Sequence, residues 1–509
     1  MLMVLVSVGG LLLAFTIALK LAFPLPDHAD IHLTTVRPST QSDLAQNEHV
    51  AGLTDQSGIR LIPIGVEAFA ARVAIIRSAR HTIDAQYYIW EGDLSGLMML
   101  QEVIAAADRG VRVRLLIDDN ATSGLDSMWR AIDTHPRIAV RLFNPLVIRK
   151  IRPLNYLFDF PRLNRRMHNK SMTVDDAMSI VGGRNIGDAY FGAKSEGLFI
   201  DLDAMAIGAV VPDISREFQD YWDSASAYPA ALILGEDNPQ TLAMYRDPKF
   251  SDPVLAGSYR AAVDKALATL KFASGNADFT WAHVTLVSDD PAKALKGASR
   301  SGLLASHIVP LIAGAQQRFD LVSGYFVPGK RGTDLLASLA GRNVRTRVVT
   351  NSIQVTDVPI VNGGYAPSRV PLLRAGVELY EARPQSHSSP RLRTNLGSTG
   401  FSGGGESIHA KSFVIDNRIL FIGSFNFDPR SALLNCEMGV IIEAPGLASA
   451  FNRALDERLP GTAYRLDLEK KNELRWADGK RVFTKEPGTT AMQRAIVWTL
   501  SKLPIAWLL

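Results

Sequence analysis

His168-Asn-Lys170-Ser-Met-Thr-Val-Asp175 is followed by Ile180-Val-Gly-Gly183-Arg-Asn185. The chain writes the pattern again as His409-Ala-Lys411-Ser-Phe-Val-Ile-Asp416 and Phe421-Ile-Gly-Ser424-Phe-Asn426. The offsets 409 − 168, 411 − 170, 412 − 171, 416 − 175, 423 − 182 and 426 − 185 all equal 241. Six identities fall in one ungapped eighteen-residue window, and four of them are ionisable or amide side chains. An internal repeat is read before any local pattern, because it decides the architecture.

Around each copy the chain alternates strands and helices. Ile83-Asp-Ala-Gln-Tyr-Tyr-Ile-Trp90 has strand composition, Leu97 to Ala107 a helical period, and Val111-Arg-Val-Arg-Leu-Leu-Ile117 strand composition again, ending at Asp118-Asp119. The order returns as Phe319 to Val327, Thr333 to Ala340 and Val344 to Asn351. Tyr87-Tyr88-Ile89 matches Tyr325-Phe326-Val327, and Val111-Arg112-x-Arg114 matches Val344-Arg345-x-Arg347. Such β–α–β units build parallel or mixed sheets. The expected fold class is therefore α/β, as two duplicated halves related by pseudo-twofold symmetry with one site between them. The halves span 55–230 and 300–460. A helical, polar connector fills 231–299.

The spacing carries a chemistry. Alternate side chains of an extended strand share a face, so His168 and Lys170 point together, as do His409 and Lys411. Asn185 and Asn426, after a Gly-Gly183 and a Gly-Ser424 turn, reach the same place. Two ammonium groups and two amides suit an anion whose oxygens share one negative charge. One imidazole can attack phosphorus while the other protonates a leaving alcohol. No metal and no cofactor is expected, because the lysines fill a cation's electrostatic role.

These residues resemble the phospholipase D superfamily, whose signature is two His-x-Lys-x4-Asp elements, each followed by Gly-Gly/Ser-x-Asn. Longer strings are similar to the bacterial C-type cardiolipin synthases: Arg166-Met-His-Asn-Lys-Ser171, Gly182 to Phe191, Thr350 to Pro359, Leu372 to Tyr380 and Gly423 to Ser431. That resemblance implies a metal-independent phosphatidyltransferase making cardiolipin in two steps through a phosphohistidine. It assigns His168 as nucleophile and His409 as general acid, then base. The implied donor is phosphatidylglycerol or phosphatidylethanolamine and the acceptor phosphatidylglycerol or a related alcohol. Hydrolysis by the same machinery, a nuclease-type phosphodiesterase and a non-catalytic lipid scaffold are the other readings. The last is disfavoured because both motif copies are intact.

Each catalytic imidazole needs a carboxylate on its other nitrogen. The matching positions are Asp201, with Asp203 as its alternative, and Glu437. His168 is expected to pair with Asp201, and His409 with Glu437. Asp175 and Asp416 complete the motifs among the candidate catalytic residues and are expected to bind backbone at the strand–turn. Gly183, Ser424, Arg165 and Arg166 are the candidate substrate-binding residues. The last two close a basic, aromatic stretch from Arg149 that could hold lipid headgroups. Gly363-Gly364-Tyr365 to Arg369 is a candidate for the mouth of the acceptor site.

The chain has 509 residues, 47% hydrophobic and 21% charged, which is enough to bury a sizeable core and excludes disorder. Its one cysteine, Cys436, excludes a disulfide scaffold and any multi-cysteine metal site. A formal charge of 55 − 51 = +4 suits an anionic surface. Met1 to Leu19 carry no charge, and the apolar run closes at Pro24, long enough to cross a bilayer. Residues 1–23 therefore read as an uncleaved transmembrane anchor rather than a cleaved signal, followed by a linker over 24–54. The tail 461–509 ends in a Trp-containing amphipathic segment suited to a membrane interface or to packing on the protein itself. The expected partners are phospholipids and a membrane, with no nucleic acid. The implied location is a bacterial cytoplasmic membrane, in an orientation that the few flanking charges leave open.

Overall fold

The computed structural model describes residues 14–27, 55–194, 198–270, 278–384, 407–469 and 473–502. The first half contributes strands β1 (Ser57–Ile62), β2 (Thr82–Tyr87), β3 (Arg112–Asp118), β4 (Ile138–Phe143), β5 (Ser171–Val174), β6 (Met178–Gly182), β7 (Phe199–Ile200), β8 (Asp203–Gly208) and β9 (Ala227–Pro229). The second contributes β10 (Thr280–Ser288), β11 (Arg318–Ser323), β12 (Arg345–Asn351), β13 (Glu378–Ala382), β14 (Ser407–Ile408), β15 (Lys411–Ile415), β16 (Ile419–Gly423), β17 (Met438–Glu443) and β18 (Ala463–Leu468).

Hydrogen bonding orders the first sheet β9-β4-β3-β2-β5-β6-β8-β1. The second runs β18-β13-β12-β11-β15-β16-β17-β10. Each half thus holds three parallel strands flanked by antiparallel ones, in the same order, and β1 meets β10 antiparallel where the halves join. β2 is buried along its whole length, as strands covered on both faces are. Between the halves, Val181, Leu202 and Ala204 pack with Val414, Leu420, Ile422, Met438 and Val440 in one apolar cluster. The duplicated α/β architecture is the one expected from the repeat.

Three details differ from the sequence reading. The stretch 231–299 holds the helix Pro253–Leu270 but also β10, which belongs to the second sheet. The tail begins with β18, paired to β13, so its first part is sheet. The repeat register also shifts. Trp90 bridges Ile186 as Phe326 bridges Phe427, and 326 − 90 = 236. Tyr87 therefore corresponds to Ser323, not to Tyr325. A slip of two keeps every side chain on its face, so the hydrophobic pattern could not reveal it. The arginine match stands: Arg114 pairs with Asp84 at 2.7 Å, and Arg347 with Asp320 at 2.6 Å.

The expected anchor lies mostly outside the described residues. Among those described, no helix is long and apolar enough to cross a membrane. The end of the tail, 503–509, is outside them as well. The helix before it, Ala491–Lys502, packs on the helix Pro359–Arg374 while Met492, Ile496 and Trp498 remain exposed.

Asp175 and Asp416 bind backbone, as expected. Each sits at a positive-φ turn position, 53° and 52°. Asp175 accepts the N–H groups of Arg80, His81 and Thr82 at 2.7–2.8 Å. Asp416 accepts those of Gln316, Gln317 and Arg318. Both carboxylates, placed among the candidate catalytic residues by the motif, are thus engaged with the backbone of the strand–turn. Asp175→Ala should cost about 2 kcal/mol and lower the thermal midpoint by several degrees. A full loss of activity with an unshifted melt would restore it to the reaction.

Candidate active site

His168 and Lys170 lie just before β5, and His409 and Lys411 at the start of β15; all four are buried. The backbone here is stitched across the two halves. Cys436 N–H donates to Arg166 O and His168 N–H to Cys436 O, both at 2.8 Å. In the other copy β14 runs parallel to β7, with Ile408 opposite Ile200, and His409 N–H donates to Ile200 O at 2.7 Å. Each histidine therefore lies beside the residue that follows its partner strand position in the opposite half.

This reverses the expected carboxylate pairing. His168 Nδ1 meets Glu437 Oε2 at 2.8 Å, and His409 Nδ1 meets Asp201 Oδ2 at 2.5 Å. Ionised carboxylates only accept, so each Nδ1 carries the proton and each Nε2 is left as the basic nitrogen. Asp203, the alternative to Asp201, is buried on Arg72 at 2.9 Å. Glu437 is also held by Ser424 Oγ at 2.5 Å and Ser431 Oγ at 2.8 Å. Asp289 accepts its backbone N–H at 2.9 Å. At the equivalent of Ser424, a Cβ on Gly183 would come within 2.1 Å of Asp201 Oδ1, so only glycine fits.

Lys170 Nζ donates to His168 O at 2.7 Å, and Lys411 Nζ to His409 O. Their ammonium groups lie over Tyr88 at 5.3 Å and Tyr325 at 5.6 Å. Tyr88 is edge-on to His168 at 5.2 Å. His409 meets Tyr190, Phe199 and Tyr325 at 5.2, 5.1 and 6.2 Å. Asn185 donates to Tyr190 Oη at 2.8 Å and accepts Ile89 N–H at 3.2 Å. Asn426 is buried, and its amide oxygen has no partner among the described residues.

The remaining candidates are placed differently. Arg166 is buried with its guanidinium on Asp118, Phe143 O and Asn144 O, so it cannot hold substrate. Arg165 reaches the backbone carbonyls of Lys293 and Leu433, tying the halves together. Arg149, Arg152 and Arg162 are likewise engaged with Asp119, Asp126 and Asp159. The arginines of this stretch are thus largely spent on internal partners, and its exposed residues include Lys150, Ile151, Leu157 and Phe160. Tyr365, in the candidate acceptor mouth, is buried under Arg369 in a cluster with Glu381 and Glu486. Burial pushes the Cys436 thiol up to about 12, which removes it as a nucleophile. Sequence reading missed the aromatic residues that frame both imidazoles. It also missed a buried cluster beneath the first motif, where Glu217 accepts from Gln86 and Asn169. Burial raises Glu217 to about 8.

The electrostatics explain readiness for an anion. Burial, with both lysines adding to it, lowers His168 to about 4 against the pull of Glu437. Burial and Lys411 lower His409 to about 3 against Asp201. Burial would raise Asp201, but His409, Lys411 and Arg184 outweigh it and hold it at about 2. Burial opposes Glu437 likewise, and His168 and Lys170 keep it below its usual value. Burial lowers Lys411 to about 8 and Lys170 well below its ordinary value. Lys170 acts on His409 and Lys411 on His168, so the two motifs share one field. An arriving anion favours every charged nitrogen and raises these values. Near pH 8, where lysine is part-deprotonated, binding must therefore take up protons. Calorimetry of inorganic phosphate binding in two buffers of different ionisation heat should show that uptake. Zero exchange or proton release would contradict it.

A family model described as "Cardiolipin synthase, PLD-like domain" matches residues 73–222 and 308–459. The chain is 44% identical over 459 residues to Cardiolipin synthase C of Escherichia coli (strain K12), across 89% of this chain and 96% of that one. It is 25% identical over 414 residues to a cardiolipin synthase of Staphylococcus aureus (strain Mu50), across 81% and 69%. Among solved structures, phosphatidylserine synthase of Haemophilus influenzae Rd KW20 superposes with a TM-score of 0.53 at 14% identity. That match covers 84% of this chain and 90% of the other, and it shows likeness of fold alone.

Proposed function

The chain belongs to the cardiolipin synthase family of phospholipase D-like proteins. From that premise we propose that this phosphatidyltransferase makes cardiolipin by two displacements at one site. The observation that carries the mechanism is the pair of buried imidazoles, each held through Nδ1 by a carboxylate from the other half. His168 Nε2 attacks the phosphorus of the donor lipid, phosphatidylglycerol or phosphatidylethanolamine. His409 gives a proton to the departing headgroup alcohol. His409 then takes the proton of the acceptor's hydroxyl as that oxygen displaces the phosphatidyl group from His168. Lys170, Lys411, Asn185 and Asn426 surround the phosphate, and Glu437 and Asp201 stabilise the imidazolium of their own histidine. Depressed pKa values support the nucleophile, since His168 stays neutral well below pH 7. His409 must be protonated to act first as acid, and the donor's negative charge supplies that shift.

The test is acid-quenched labelling with a donor carrying labelled phosphate, run in EDTA. His168→Ala should take no label, and Glu437→Gln should slow label formation. His409→Ala should lose turnover by ~10²–10⁴-fold while still trapping label from a donor with an activated leaving group, and Asp201→Asn should follow it. Label on His168→Ala but not on His409→Ala would exchange the roles. A requirement for added divalent ion would end metal independence.

We further propose that residues 1–23 anchor the protein in the bacterial cytoplasmic membrane. The absence of charge from Met1 to Leu19 supports this, and the exposed Met492, Ile496 and Trp498 supply a second, peripheral contact. The full chain should stay with membranes through an alkaline carbonate wash, and a form starting at Pro24 should be released. Retention of both would assign the anchoring elsewhere.

A further inference from the structure

The two motif copies differ in the group that each half brings to the tyrosine over its lysine. On the first side Asn120, in the turn after β3, donates through Nδ2 to Tyr88 Oη at 3.3 Å, and its Oδ1 accepts from Tyr156 Oη at 2.6 Å. Tyr88 accepts there, so its own hydroxyl hydrogen is left to be donated. With Lys170 below the ring, this side offers donors and positive charge. On the second side Asp357, in the loop after β12, takes the place of the amide. Tyr325 donates to Asp357 Oδ2 at 2.5 Å, which commits its hydrogen and leaves oxygen lone pairs. Asp357 is exposed, and the hydrogen bond from Tyr325 falls on its Oδ2 rather than its Oδ1. Its charge reaches Lys411 and Tyr190, so it lies within the field of the site, one tyrosine ring from His409.

Phosphate oxygens only accept, whereas an alcohol donates. The amide side therefore matches the phosphate, and the carboxylate side matches the alcohol. We infer that Asp357, with Tyr325, forms an alcohol subsite. It seats a second hydrogen-bond donor, a neighbouring hydroxyl or an ammonium group, on the molecule whose reacting hydroxyl faces His409. The inference rests on the transfer reading above and adds the chemistry of the alcohol. It also breaks the symmetry between the histidines, because the alcohol stands on the His409 side in both displacements. In the second, the acceptor O–P bond forms, the P–Nε2 bond to His168 breaks, and the hydroxyl proton passes to His409 Nε2.

The experiment uses the full-length protein with phosphatidylglycerol vesicles and an equimolar mixture of deuterated glycerol and methanol, with products read by mass spectrometry. Methanol has the reacting hydroxyl and no second donor. A parallel mixture replaces glycerol by ethanolamine. Asp357→Asn should lower the glycerol-to-methanol or the ethanolamine-to-methanol product ratio about tenfold, the scale of one hydrogen bond to a charged group. Asp357→Glu should hold the ratio. Structural damage would depress both products of a mixture together and leave their ratio unmoved. A fall confined to glycerol identifies a hydroxyl partner and a fall confined to ethanolamine an ammonium, and either supports the subsite. Both ratios unchanged in Asp357→Asn, with transfer intact, would overturn the subsite alone. A wild type yielding none of these products would overturn the transfer reading and the subsite with it.

Discussion

Two short parallel contacts between the halves govern this molecule. Met167 and His168 run beside Cys436, and Ser407 to His409 run beside Phe199 and Ile200. Parallel pairing sets the residue after each bridge next to its neighbour's successor. Glu437 therefore falls on His168 and Asp201 on His409. Neither half holds the carboxylate that orients its own imidazole, so the site exists only where the halves meet. The apolar cluster built from both sheets, and the β1–β10 join, keep that meeting in register.

The same crossing makes buried charge tolerable. A lone ammonium or carboxylate taken from water costs several kcal/mol, yet this site buries two of each. Each carboxylate is met by an imidazole and by hydroxyl or backbone donors, and each lysine by the carbonyl of its own motif histidine. The compensation is incomplete for the lysines, whose pKa values fall. That residual deficit is what an anionic phosphodiester relieves, so the desolvation that burdens the free protein becomes selectivity for its substrate class.

Duplication has given way to division of labour. Where the first half has glycine at 183 the second has Ser424, because Asp201 fills the space that Ser424 Oγ uses to bind Glu437. His168 faces one tyrosine, and His409 faces three aromatic rings. Beneath the first motif Gln86, Asn169 and Glu217 form a polar cluster. Beneath the second, the equivalent positions are Val322 and Ala410, in an apolar one. A twofold frame thus carries two chemically distinct sides, as a reaction with a phosphate and an alcohol requires.

The constant 241-residue offset, with the strand and helix alternation around each copy, determined the duplicated α/β architecture, the two His-x-Lys pairs and their asparagines. Those follow from the repeat and from strand alternation, which depend on residues near one another in the chain. Asp201 and Glu437 were also visible as carboxylates entering a later strand. Which histidine each one serves was decided by a contact between segments more than 200 residues apart. No local pattern encodes such a contact. The inward turn of Arg166 toward Asp118 and the two-residue register of the aromatic strand were likewise set by packing, since charge and periodicity read the same in either arrangement.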